Sequence, residues 1–167
     1  MKMEYFDVAL FDVDKGLQAR LGYSRIYAIG KDIALSASPS QSSVPIIVRS
    51  KDQNNLARAL KDPGVVAIIF EDSILNKKLI GKAAESRKPI LVPVSAMLRM
   101  DPRERQSELS RLRKILASAH SLGARCILVT LAESAEYLVS TGQMAEVSHM
   151  LMDTGNSKFV IFGGDIL

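Results

Sequence analysis

Residues 65–70 (Val-Val-Ala-Ile-Ile-Phe) and 90–94 (Ile-Leu-Val-Pro-Val) are apolar at both parities of an extended chain. A strand with one wet face alternates apolar and polar residues, because successive side chains point to opposite sides of a sheet. These runs must be covered on both faces, as strands of a parallel sheet under helices are. Further short strand-like runs fall at 5–11, 25–29, 32–35, 45–48, 125–131 and 158–162. Helical patterns lie between them at 15–21, 54–60, 74–86, 102–121 and 135–152. This alternation predicts an α/β fold with mostly parallel strands, as a small barrel or an open wound sheet. No internal repeat or linker divides residues 1–167, which read as one domain large enough for a real core. Asp62-Pro63-Gly64 is a turn. Residues 36–43 hold five serines in eight and read as a solvated loop, with phosphate contact as the less favoured alternative.

The helix over 102–121 carries the fullest set of local signals. Asp101 can cap its start, Pro102 suits the first turn, and Glu104 stands where a capping box needs it. Leu109, Leu112, Ile115, Leu116, Ala119 and Leu122 fall on one side at helical spacing, and Gly123 ends the pattern. Arg103 and Lys114 then lie on the opposite face, flanked by Arg111 and Arg113.

Charge is unevenly spread. Residues 77–125 hold 12 Lys/Arg against 4 Asp/Glu, whereas residues 1–75 hold 9 of each and residues 126–167 hold 1 against 5. The modest net +4 therefore conceals one strongly cationic stretch. Clustered cations on a folded surface attract polyanions through phosphate contacts and counterion release. A merely solvated helix face is the competing reading. The candidate anion-binding residues are Lys77, Lys78, Lys82, Arg87, Lys88, Arg99, Arg103, Arg105, Arg111, Arg113 and Lys114.

Other chemistry is sparsely represented. The two histidines, His120 and His149, have no neighbouring ligand in a metal-binding spacing, and no metal or cofactor is expected. There is no phosphate-binding glycine loop, no dinucleotide fingerprint and no Gly-x-Ser-x-Gly elbow; Gly163-Gly164 is a turn signal. Cys126, the single cysteine, opens an apolar run and reads as a buried, inert thiol suited to a reducing compartment. Glu71 and Asp72 follow the strand at 65–70, the end at which α/β active sites collect, but capping of the next helix by Asp72 or Ser73 is the preferred reading. Asp7, Asp12 and Asp14 fit strand edges and caps. No apolar run approaches the ~20 residues of a membrane span. Asp7 and Asp12 also interrupt any signal-peptide core, so a cytoplasmic location is expected.

One family fits the ordered set. The run Lys88-Pro89-Ile90-Leu91-Val92-Pro93-Val94-Ser95-Ala96-Met97-Leu98-Arg99, followed by Asp101-Pro102-Arg103-Glu104-Arg105, resembles archaeal ribonuclease P protein component 3. In that family a strand ending in an apolar–Ser–x–x–Leu run precedes a helix start with Glu-Arg, a long basic helix and another buried strand. Ser95, Leu98, Glu104 and Arg105 stand at matching places, then Arg111, Arg113 and Lys114. The resemblance spans roughly two thirds of the chain and is strongest over residues 65–131. Family members are longer. Beyond the seventh strand they carry an aromatic residue, an Asp-x-Arg and a second arginine, where this chain has Tyr137 and then Leu138, Ser140 and Gln143. The resemblance implies a distorted triosephosphate-isomerase-like barrel in a short, divergent member. It also implies a non-catalytic role: supporting the RNA that removes the 5′ leader from precursor tRNA, with that RNA and other ribonuclease P proteins as partners.

Two alternatives stand beside it. One is a small barrel enzyme acting on a phosphorylated metabolite through Glu71 or Asp72 and the same arginines. The other is a docking module using Met144, Met150 and Met152, residues more often found in cores. Few aromatics (5%, no Trp) suit structured RNA backbone better than stacking on single strands.

Overall fold

The doubly apolar runs occupy the middle of a parallel sheet. A computed structural model of the protein describes residues 5–71 and 76–151 and the backbone of 160–161. In chain order the elements are β1 (Phe6–Ala9), α1 (Lys15–Arg20), β2 (Arg25–Ala28), β3 (Ala34–Ser36), β4 (Ile46–Ser50), α2 (Gln53–Ala59), β5 (Val65–Phe70) and α3 (Lys77–Ser86). They continue as β6 (Ile90–Pro93), α4 (Ser95–Arg99), α5 (Pro102–Ser121), β7 (Cys126–Val129), α6 (Thr141–Leu151) and β8 (Val160–Ile161), with a 3-10 turn at Ala135–Tyr137. Six strands pair in parallel in the order β3-β4-β5-β6-β7-β8, and β1 pairs with β2, also in parallel. The expected α/β class, with parallel strands flanked by helices, is therefore present.

Both faces of the large sheet are dry. Ile46, Val48, Ile68, Ile90, Val92, Cys126 and Leu128 pack in one cluster with helix residues that include Leu56, Ile80, Leu112, Ile115 and Met144. The intervening residues, Ile47, Ala67, Ile69, Leu91, Ile127 and Val129, pack with Val8, Tyr27 and Ile33 from β1, β2 and the approach to β3. A register shift against Ile46 and Ile47 lets Val65 and Ile68, which differ in parity, both join the helix-side cluster.

Beyond the end of β7 the chain reaches β1. Ala9 bridges Ala132, the Leu131 N–H donates to the Val8 carbonyl at 2.8 Å, and the Leu10 N–H donates to the Ala132 carbonyl at 2.8 Å. A second isolated bridge joins Ile29 to Ile33, between β2 and β3. Gly22, at φ +86°, closes α1 against α6; a Cβ there would stand 2.5 Å from Thr141 Oγ1.

Local signals set α5 as expected. Asp101 accepts from the N–H groups of Arg103 and Glu104 at 2.8 and 3.0 Å, and Gly123 follows the helix at φ +70°. Elsewhere the boundaries differ. Helix α3 is capped by Asn76, which accepts from the Lys78 N–H at 2.8 Å, rather than by Asp72 or Ser73, which lie outside the described residues, as do Met152 and the Gly163-Gly164 pair. The single helix expected over 135–152 is two elements, because a capping box restarts the chain at Ser140. Ser140 Oγ accepts from the Gln143 N–H at 3.2 Å, and Gln143 Oε1 accepts from the Ser140 N–H at 2.9 Å. Helix α4 is short and was not apparent from the sequence.

Asp7 holds β1 to β7 from inside the protein. Its carboxylate is fully buried and accepts from the Val8 N–H at 2.8 Å, the Thr130 N–H at 2.6 Å and the Thr130 hydroxyl. Burial pushes the carboxyl up to about 6, overcoming the opposing pull of those hydrogen bonds. Tyr23, also buried, turns its hydroxyl toward this pair without a well-formed hydrogen bond; burial and then the Asp7 charge raise its phenol. The folded chain keeps the Asp7 proton at a pH where the unfolded chain has released it. The linked stability is therefore complete below about pH 4 and is lost as pH rises through about 6, by about 3 kcal/mol. Asp7→Asn retains an acceptor but cannot ionise. Urea unfolding between pH 4 and 7 should show a flatter stability profile for this variant, and a profile parallel to wild type would contradict the assignment.

Candidate functional site

The cationic stretch folds into two neighbouring helices. Helix α3 follows β5, and α5 follows β6 through α4; because β5 and β6 are adjacent, the two helices pack side by side. Leu79, Ile80 and Ala83 anchor α3, while Leu112, Ile115, Leu116 and Ala119 anchor α5. Their remaining faces look outward. On α3, Lys77 and Lys78 are exposed in the first turn, and Lys82 is half-buried one turn further on. On α5, Arg103, Gln106, Ser107, Ser110 and Lys114 form an exposed strip of cations, hydroxyls and an amide. Such side chains donate readily to phosphate oxygens.

Four of the eleven candidates are engaged in holding the fold. Lys88 donates from Nζ to the carbonyls of Ala59, at 3.3 Å, and Asp62, closing the turn after α2. Burial lowers its pKa, with the Asp62 charge opposing. Arg105 donates from Nη2 to the Leu98 and Met100 carbonyls at 3.1 and 3.0 Å and so fixes α4 against the start of α5. Arg111 forms a two-pronged pair with Glu108, one arm at 2.7 Å. Arg113 donates from Nε and Nη2 to the Met150 carbonyl at 3.1 and 2.6 Å, joining α5 to the C-terminal turn of α6, where a cation also suits the helix dipole.

The other seven divide by position. Arg103 and Lys114 lie on the exposed strip of α5 and Lys77 on the first turn of α3, whereas Lys78 and Lys82 line the groove between α2 and α3. Arg87 is at the other end of α3, about 15 Å along the axis from Lys77 at 1.5 Å per residue, in the left-handed region at φ 57°. Arg99 lies beyond β6, with its guanidinium 4.5 Å from the centre of the Tyr137 ring and Nη1 3.7 Å from Glu133 Oε2. Tyr137 is thus a platform for Arg99, a role not visible in the sequence.

At the same edge of the sheet the acids are paired. Glu71 Oε1 lies 2.5 Å from Arg49 Nε, close but not aligned as a hydrogen bond, and Lys31 pairs with Asp12 at 2.6 Å. Arg49 escaped the sequence reading because it lies outside the basic stretch. Its guanidinium holds the carboxylate that the phosphometabolite reading needs as a base, and Asp72 lies outside the described residues. Asp14 caps α1, accepting from the Leu17 N–H at 2.9 Å. Among the described residues no three His, Cys, Asp or Glu side chains converge as a metal-binding group. His120 and His149 are exposed on α5 and α6. Cys126 is buried, which pushes its thiol up to about 12 and keeps it protonated and unreactive. Among the described residues no helix is long and apolar enough to cross a membrane.

The chain matches no protein-family model, and no curated protein is significantly similar to it.

The two kinds of cation separate by experiment. Arg113→Ala should cost about 1–2 kcal/mol of stability, because it removes two charged hydrogen bonds between helices. Arg103→Ala should stay within about 0.5 kcal/mol of wild type in the same urea titration. Equal losses would mean that the α5 arginines are not divided between fold and surface in this way.

Proposed function

We propose that this protein is an RNA-associated, non-catalytic subunit of ribonuclease P of the component 3 type, built on a distorted β/α barrel. The observation that carries the reading is the outer surface of α3 and α5. Lys77, Lys78 and Lys82 on α3 and Arg103 and Lys114 on α5 stand on the outward sides of these helices, and none forms an ion pair among the described residues. Cations arranged for stability would be paired with carboxylates, as Arg111 is with Glu108, whereas the exposed Glu85 and Glu104 of these helices pair with none of the five among the described residues. This surface instead suits a polyanion whose counterions are released on contact. The barrel is supported by the sequential parallel strand order and by the bridges Ala9–Ala132 and Ile29–Ile33, which link the two sheets. The single inward cluster from β1, β2, β4, β5, β6 and β7 supports it as well. On this reading the RNA performs 5′-leader removal from precursor tRNA, and the protein holds that RNA in shape beside other ribonuclease P proteins.

The test is binding of purified protein to ribonuclease P RNA and to an unrelated structured RNA of equal length across a salt series. Preference for ribonuclease P RNA is expected. In the variant Lys77→Gln/Arg103→Gln/Lys114→Gln, the log–log salt slope should fall by about 2. An unchanged slope in that variant, or equal binding of the two RNAs by wild type, would overturn the proposal.

A further inference from the structure

We infer that the groove between α2 and α3 is a seat for one backbone phosphate of the bound RNA, with Lys78 and Lys82 as its cations; this rests on the RNA reading above. The groove has a volume of about 210 Å³ and is open to solvent. Gln53 and Asn54 of α2 form one wall; Asn76, Lys78 and Lys82 form the other. Asn76 Nδ2 donates to Gln53 Oε1 at 3.0 Å, which ties the two walls together and leaves the Gln53 amino group as a donor. Among the described residues no carboxylate lines the groove. Asp52, next to the groove residue Gln53, is occupied in capping α2, where it accepts from the Asn54 N–H at 2.8 Å.

The lysines are badly placed for the stability of their own helix. Lys77 and Lys78 occupy the first turn of α3, the positive end of its dipole, and that turn holds no acidic residue. Lys78 and Lys82 are one turn apart on one face, where like charges repel. A helix selected for stability alone would carry Asp or Glu at these positions. An anion seated between Lys78 and Lys82 offsets the repulsion and the unfavourable dipole together. Local rules broken in this way are expected where a ligand, rather than the fold, sets the residue choice. The groove opens where α2 and α3 leave the strand ends, on the flank of α3 away from α5, so a phosphate held there lies one helix across from the α5 cations Arg103 and Lys114.

The experiment compares wild-type full chain with Lys78→Gln/Lys82→Gln and with Lys15→Gln/Lys61→Gln, which removes equal charge elsewhere. Each is titrated with ribonuclease P RNA across a salt series. Inorganic tripolyphosphate is titrated separately against ¹⁵N-labelled protein. The groove variant should lose about tenfold in affinity, and its log–log salt slope should fall by about 1, more than in the control. Tripolyphosphate should shift the amide resonances of Asn54, Lys78 and Lys82 in wild type and not in the groove variant. The thermal midpoint of the groove variant should equal or exceed that of wild type, because the lysines removed oppose their own helix. RNA binding indistinguishable from the control would overturn the groove while leaving the RNA reading intact. Should wild type show no preference for ribonuclease P RNA, the ribonuclease P reading falls and tripolyphosphate decides the groove: shifts at those three amides sustain an anion seat, and their absence overturns it.

Discussion

Burial of the central strands on both faces governs the rest of this structure. In β5, β6 and β7 neither parity of side chain tolerates water, so the sheet needs cover on each side. Helices supply one cover and β1, β2 and the approach to β3 supply the other. Apolar burial of this extent, at about 1.5–3 kcal/mol for each large aliphatic side chain, dominates the favourable side of folding. It also forces the helices to turn their apolar stripes inward. Once Leu112, Ile115 and Leu116 face the sheet, Arg103 and Lys114 have only solvent or a partner to face. The cationic surface is thus a consequence of how the core is closed.

Basic residues in this chain serve two purposes, which the geometry separates. Lys88, Arg105 and Arg113 reach backbone carbonyls at turns and helix ends, where a charged donor satisfies acceptors that the helices leave open. Those contacts join α2 to its following turn, α4 to α5, and α5 to α6. Lys77, Lys78, Lys82, Arg103 and Lys114 join nothing among the described residues, and several of them oppose local helix energetics. The difference matters because charge counted along a sequence treats both groups alike. The second group has its side chains left for a ligand.

Legibility followed the range of the signal. The limits of α5 were written in adjacent residues, Asp101, Pro102 and Gly123, and the class of fold in the β-branched runs. The Ser140–Gln143 capping box was equally local but hidden inside a helix-like stretch that ran on from Ala135. Three features depended on distant partners and had no local trace. Asp7 reads as a strand-edge carboxylate until Thr130, 123 residues away, comes to it. Arg113 reads as a surface arginine until α6 brings up the Met150 carbonyl. Arg49 gains meaning only from the neighbouring strand that presents Glu71.

The central claim is that the protein works against RNA, and against one RNA in particular. The most direct measurement is to purify the tagged chain from its own cells and sequence the RNA that comes with it. A strong enrichment of ribonuclease P RNA over a tagged control protein of similar charge is the predicted result. Recovery of no RNA above that control, or of RNA in proportion to cellular abundance, would contradict the account.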